Sequence, residues 1–96
     1  MTTTVLVVDD ERAIRDLMSE AIRHAGYEVL TAANGEEALP LVTRENVHIA
    51  ICDIKMPGMS GLDLLQKILD LSPETIVIMI TAYASVDTAV KALRNG

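Results

Sequence analysis

Short, wholly apolar runs alternate with stretches of helical period along this chain, and that alternation constrains its fold more than any other feature. Thr4-Val5-Leu6-Val7-Val8 and Ile76-Val77-Ile78-Met79-Ile80 are rich in β-branched residues and show no polar alternation. Such a strand hides both faces, as a central strand does in a parallel sheet with helices on either side. The first run is read as β1 and the second as β4. Between them, Glu28 to Ala32 reads as β2 and Val47 to Cys52 as β3.

The intervening segments carry helix signals. Ile14, Leu17, Met18, Ala21 and Ile22 recur at helical spacing, predicting the buried stripe of α1, with Gly26 as its stop. Asn34 with Glu37 three residues on predicts an N-cap for α2, and Pro40 inside that helix predicts that it is kinked or short. Ser60 with Asp63 repeats the cap for α3, whose stripe is expected to be Leu62, Leu65, Ile68 and Leu69. Val86, Ala89, Val90 and Leu93 mark α4, before Asn95-Gly96. Strands and helices in strict alternation, with short right-handed connections, predict an α/β fold with an open doubly wound parallel sheet.

Ninety-six residues, half of them hydrophobic, suffice for one domain with a core, so residues 1–96 are read as a single module. The longest unbroken apolar run, Ile76 to Ile80, is far short of the ~20 residues that cross a bilayer. The N-terminus lacks the basic flank of a signal peptide, so no membrane association and a cytoplasmic location are expected. A net charge of −6, with two tyrosines and no other aromatic residue, argues against direct nucleic-acid binding. The lone Cys52, flanked by Ala50 and Ile51, reads as a small core residue.

The acids are distributed in a way that composition does not require. Asp9 and Asp10 follow β1 and Asp53 follows β3, at the carboxyl ends of strands, where open parallel sheets bind their ligands. A single acid there is usually a solvated charge, and Asp10 alone could merely cap α1. Two acids after one apolar strand and a third after another favour a shared cation site. Thr81, at the end of β4, could add a hydroxyl to the same crevice, although a threonine there is more often a β-branched filler or a cap.

Four segments, in this order and spacing, resemble bacterial response-regulator receiver domains over Val5 to Gly96: Val5-Leu6-Val7-Val8-Asp9-Asp10-Glu11, Asn34-Gly35-Glu36-Glu37-Ala38, Asp53-Ile54-Lys55-Met56-Pro57-Gly58-Met59-Ser60-Gly61 and Ile80-Thr81-Ala82. The resemblance implies a flavodoxin-like sheet of order 2-1-3-4, which sets β1 beside β3. With adjacent strands ~4.8 Å apart, the three carboxylates would then share an ion. A divalent cation relieves their mutual repulsion, and Mg2+ suits carboxylates that also receive phosphate oxygens.

By the same resemblance Asp53 is the phosphoacceptor. Asp10 is a direct Mg2+ ligand, Asp9 a ligand through water, and the Lys55 carbonyl a further ligand. Thr81 and the backbone amides of Lys55 and Ala82 hold phosphoryl oxygens. Lys55 and Tyr83 occupy positions that tune phosphoryl lifetime. The implied partner is a sensor histidine kinase, and the signal leaves through Ala84 to Arg94. The family also carries a lysine and an aromatic residue on a fifth strand, and this chain stops before either. The receiver is therefore expected to be incomplete at its C-terminus. An output domain is expected beyond Gly96, and β4 is expected to be an exposed edge prone to homodimer formation or aggregation. The Thr81 to Ser85 segment resembles receivers of σ54-dependent activators, which places the domain in transcription regulation.

Three other readings compete. A receiver-shaped binding module that is not phosphorylated would still need to explain the intact acid cluster. A haloacid-dehalogenase-like phosphatase wants Asp-x-Asp after its first strand, whereas Asp9 and Asp10 are adjacent. An FMN binder would offer glycine and hydroxyl groups to phosphate where this chain has Asp9-Asp10-Glu11.

Overall fold

The computed structural model describes residues 2–54, 56 and 58–80. Within them the elements run β1 (Thr4–Val8), α1 (Arg12–His24), β2 (Glu28–Ala32), α2 (Gly35–Arg44), β3 (Ile49–Asp53), α3 (Gly61–Leu71) and β4 (Ile76–Ile80). All strand pairs are parallel and the order is β2-β1-β3-β4, as expected for the doubly wound sheet. The segment expected to form α4, together with Lys55, Thr81, Ala82 and Tyr83, lies outside the described residues.

Side chains of a strand alternate between its faces, so the register divides the sheet into two unequal sides. Leu6, Val8, Ala50, Cys52, Val77 and Met79 face the main core, where they meet Ala38 and Val42 of α2 and Leu64, Leu65 and Ile68 of α3. The other face carries Val5 and Val7, which are buried, on the half of the sheet where α1 packs against β1 and β2. On that same face Ile49 and Ile51 are half-buried, and Ile76 and Ile78 of β4 are exposed.

Helix ends follow the predicted chemistry. The Asn34 carboxamide oxygen accepts a hydrogen bond from the Glu37 amide at 2.9 Å, and the Ser60 hydroxyl accepts one from the Asp63 amide at 3.2 Å. Gly26, at φ +101°, closes α1: its amide donates to the Arg23 carbonyl while the Tyr27 amide reaches Ile22. α2 is ten residues long and runs through Pro40, which is exposed.

Three local expectations are corrected. α1 is rotated from its predicted face, with Ser19 buried, Arg15, Met18 and Ile22 half-buried, and Leu17 67% exposed alongside exposed Ile14 and Ala21. Its apolar positions form a stripe wider than the narrow contact that one helix makes with two strands. In α3, Leu62 is exposed and Leu64 takes its place, because Gly61, Leu64, Leu65 and Ile68 recur at i, i+3, i+4 and i+7. β3 begins at Ile49 and ends at Asp53, where Val47 to Cys52 was expected. The Val47 carbonyl is instead taken by the Thr75 hydroxyl at 2.9 Å, and cross-strand bonding starts at His48, whose amide donates to Thr4.

Cys52 is fully buried, and desolvation pushes its thiol up from 9.0 to about 12. An unfolded chain would release this proton first, so the associated stability is complete below pH 9.0 and lost as pH rises toward about 12. A disulfide exchange reagent at pH 8 is expected to label Cys52 only as fast as the protein opens, with fast labelling on adding denaturant. The buried Ser19 hydroxyl has no hydrogen-bond partner among the described residues. Ser19→Ala should therefore raise unfolding stability by about 1 kcal/mol in urea titrations, through relief of desolvation and better helix propensity.

Candidate functional site

The site lies at the carboxyl ends of β1 and β3, and backbone pairing builds it. Val8 stands opposite both Ala32 and Cys52, so the residues that follow β1 emerge beside the end of β3. The Asp9 amide donates to the Ala32 carbonyl at 3.2 Å, carrying the β1–β2 ladder one residue past the strand. Asp9 is only 4% exposed, and its Oδ1 accepts from the Glu11 amide at 2.9 Å. Glu11 is the N-cap position of α1 and makes no side-chain cap, so Asp9 satisfies this amide at the helix start. The N-cap is thus Glu11 and not Asp10, and the Asp9 carboxylate closes a turn just before the helix.

Asp10 is exposed, and Asp53, the last residue of β3, is half-buried. One carboxylate oxygen from each of Asp9, Asp10 and Asp53 can be chosen so that all lie within 4.8 Å of one another. Three anionic groups this close repel one another, most strongly around buried Asp9. Hard oxygen donors of this number and charge suit a divalent cation such as Mg2+, which keeps part of its water shell. The structure thus brings together the three acids expected from the sequence.

The loop after β3 is held in place by close packing. Asp53 pairs in register with Ile80, and the Ile54 amide donates to the Ile80 carbonyl at 2.8 Å. Gly61, the first residue of α3, donates its amide to the Ile54 carbonyl at 3.0 Å. A Cβ on Gly61 would run into the Asp53 carbonyl and come within 2.7 Å of the Ile54 Cα and 2.8 Å of the Met79 Cε. Across the loop, a Cβ on Gly35 would lie 2.6 Å from the Met59 Sδ, so Met59 sits directly against the start of α2. Gly58, at φ +77°, makes the turn between these contacts.

Two contributors were not legible in the sequence as site residues. Gly61 was part of a motif, but its structural role is the close approach of α3 to the backbone of Asp53; a glycine at the first position of a helix already capped by Ser60 was the available signal. The second is Arg15, whose Nη1 donates to the Asp9 carbonyl at 2.7 Å. Nothing in its spacing distinguished it from a solvated helical arginine.

Comparison with known proteins agrees with this fold. Residues 5–96 match the family model of the response regulator receiver domain, and the chain belongs to that family. It is 41% identical over 96 residues to the response regulator protein FleR of Pseudomonas aeruginosa, a match that takes in all of this chain and 20% of FleR. Among solved structures, a CheY-like receiver domain from Methanospirillum hungatei superposes with a TM-score of 0.88 at 38% identity, covering 100% of this chain and 77% of that one. The response regulator TrrA of Thermotoga maritima, in complex with Mg2+ and BeF, gives a TM-score of 0.84 at 41% identity, over 95% of this chain and 81% of TrrA. TrrA in complex with the histidine kinase ThkA gives 0.82 at 42% identity, over 88% of this chain and 73% of that one. Among the described residues no helix is long and apolar enough to cross a membrane.

Gly61→Ala tests the packing around Asp53. The helix-propensity gain of ~1 kcal/mol is expected to be outweighed by overpacking against backbone, which costs about 1–3 kcal/mol because backbone cannot rotate aside. Urea unfolding should show a net loss of stability, and the amide resonances of Asp53 and Ile54 should move.

Proposed function

We propose that this domain is a phosphorylation-dependent switch in which Asp53 takes a phosphoryl group from a phosphohistidine of a sensor histidine kinase. The observation that carries the reading is the convergence of Asp9, Asp10 and Asp53 within 4.8 Å at the end of the central strands. Support comes from TrrA, similar over most of this chain, which has been crystallised with Mg2+ and BeF and with a histidine kinase.

In this reading an oxygen of Asp53 attacks phosphorus in line with the phosphohistidine N–P bond. That bond breaks, its electron pair returns to the imidazole, and an acyl phosphate forms on Asp53. Asp10, Asp53 and the Lys55 carbonyl would hold Mg2+ directly, and Asp9 through water. When bound, the cation supplies positive charge that offsets the carboxylates and the phosphoryl oxygens. Asp9, tied to the amide of Glu11, is a fixed charge that costs little reorganisation. Thr81 and the amides of Lys55 and Ala82 would receive the phosphoryl oxygens, and Lys55 and Tyr83 would set how long the acyl phosphate survives.

Movement of Thr81 toward the phosphoryl group would then reshape the surface from Ala84 to Arg94, where the signal leaves. The chain spans about a fifth of the length of FleR, and we place an output domain for transcription control elsewhere in the whole protein. The module is regulatory and works in the cytoplasm.

Incubation of the full-length protein with labelled acetyl phosphate and Mg2+ is expected to put label on Asp53. Asp53→Asn should remove it. Asp10→Ala should weaken Mg2+ binding by roughly tenfold or more, in line with loss of a charged ligand. Undiminished label in Asp53→Asn would refute the acceptor assignment, and absence of label in the native protein would favour a binding module that is not phosphorylated.

A further inference from the structure

Arg15 lies in the first turn of α1, which starts at Arg12 and holds no acidic residue, so the acids nearest the partial positive charge of the helix start are Asp9, Asp10 and Glu11 just before it. Arg12 forms an exposed i,i+4 pair with Asp16 at 3.6 Å. Arg15 instead reaches back past the helix start, the direction in which helical side chains lean, and Nη1 donates to the Asp9 carbonyl at 2.7 Å. The acceptor is the oxygen of the peptide that joins Asp9 to Asp10.

Three hydrogen bonds therefore hold three different atoms of Asp9. Its amide is tied to Ala32 and its carboxylate to the Glu11 amide, while its carbonyl is tied to Arg15. The first fixes the end of β1 and the second fixes one acid. The third fixes the plane of the Asp9–Asp10 peptide, and so sets where exposed Asp10 leaves the backbone relative to Asp9 and Asp53.

We infer that Arg15 is a positioning residue of the cation site, holding the Asp9–Asp10 peptide so that Asp10 converges with Asp9 and Asp53. This rests on the reading of the three acids as a Mg2+ site. It also opposes the electrostatic expectation. A guanidinium near the acids repels a second cation, so removing it should tighten Mg2+ binding by a few-fold if charge alone mattered. That repulsion is screened over ~10 Å at 0.1 M salt, whereas a lost orientation is not screened. Geometry is expected to win, with affinity falling roughly tenfold, as for other residues that orient metal ligands.

The test is a Mg2+ titration of the full-length protein, followed by calorimetry and by the amide resonances of Asp10 and Glu11. Wild type, Arg15→Gln, Arg15→Met, Arg15→Lys and Asp10→Asn are compared, with thermal midpoints of the metal-free proteins alongside. Both neutral variants should bind Mg2+ roughly tenfold more weakly. Arg15→Lys, which restores a donor of similar reach, should recover part of that loss. Arg15→Met keeps the apolar stem and serves if Arg15→Gln does not fold. Unchanged or tighter binding in a folded neutral variant, or a loss that Arg15→Lys does not reduce, overturns the inference while leaving the cation site intact. No saturable response in wild type, with Asp10→Asn indistinguishable from it, brings down the cation site and the inference with it.

Discussion

Parallel pairing of β1 with both β2 and β3 is the constraint on which the rest of the molecule depends. It brings Val8 opposite Ala32 on one side and Cys52 on the other, and so directs the chain out of the sheet at the point where Asp53 ends β3. Carboxylates that repel one another do not assemble by themselves. They are brought together because the apolar strands beneath them, from Leu6 and Val8 to Ala50 and Cys52, gain more from burial than the acids lose in proximity. The cost of the site is thus met in the core, and a cation held there would recover part of it.

The same economy explains the polar detail around the acids. Asp9 is nearly fully buried, and its amide, carbonyl and carboxylate all have hydrogen-bond partners. The loop on the opposite side is shaped by contact and not by charge, with Gly61 against the Asp53 backbone and Met59 against Gly35. An acid turn held by hydrogen bonds therefore faces a tightly packed loop after β3. That suits chemistry in which placement and fixed charge matter more than any reactive side chain.

Much of this was legible in the chain before its structure. Uninterrupted apolar runs marked covered parallel strands, and the caps at Asn34 and Ser60 were found where Asn-x-x-Glu and Ser-x-x-Asp predicted them. Asp9, Asp10 and Asp53 converge as their positions after β1 and β3 suggested. The two helix-face failures have one cause, which is that periodicity reports that a helix has an apolar face and not which part of that face a neighbour covers. Ile14, Leu17 and Ala21 satisfy the period of α1 as well as Met18 and Ile22 do, yet only the latter pair is even half-buried. Leu62 fails for the same reason in α3.

By itself the sequence determined the local terms: strand or helix for each described segment, and where α2 and α3 start. Each of these depends on neighbours a few positions away, through side-chain sterics, capping bonds or a run of buried side chains. Tertiary structure alone decided which face of α1 is covered, that α3 needs a glycine against Asp53, and that Arg15 closes on the Asp9 carbonyl. Those outcomes depend on distances between segments far apart in the chain, or on the turn geometry that joins a strand to a helix, and no spacing along the sequence encodes them.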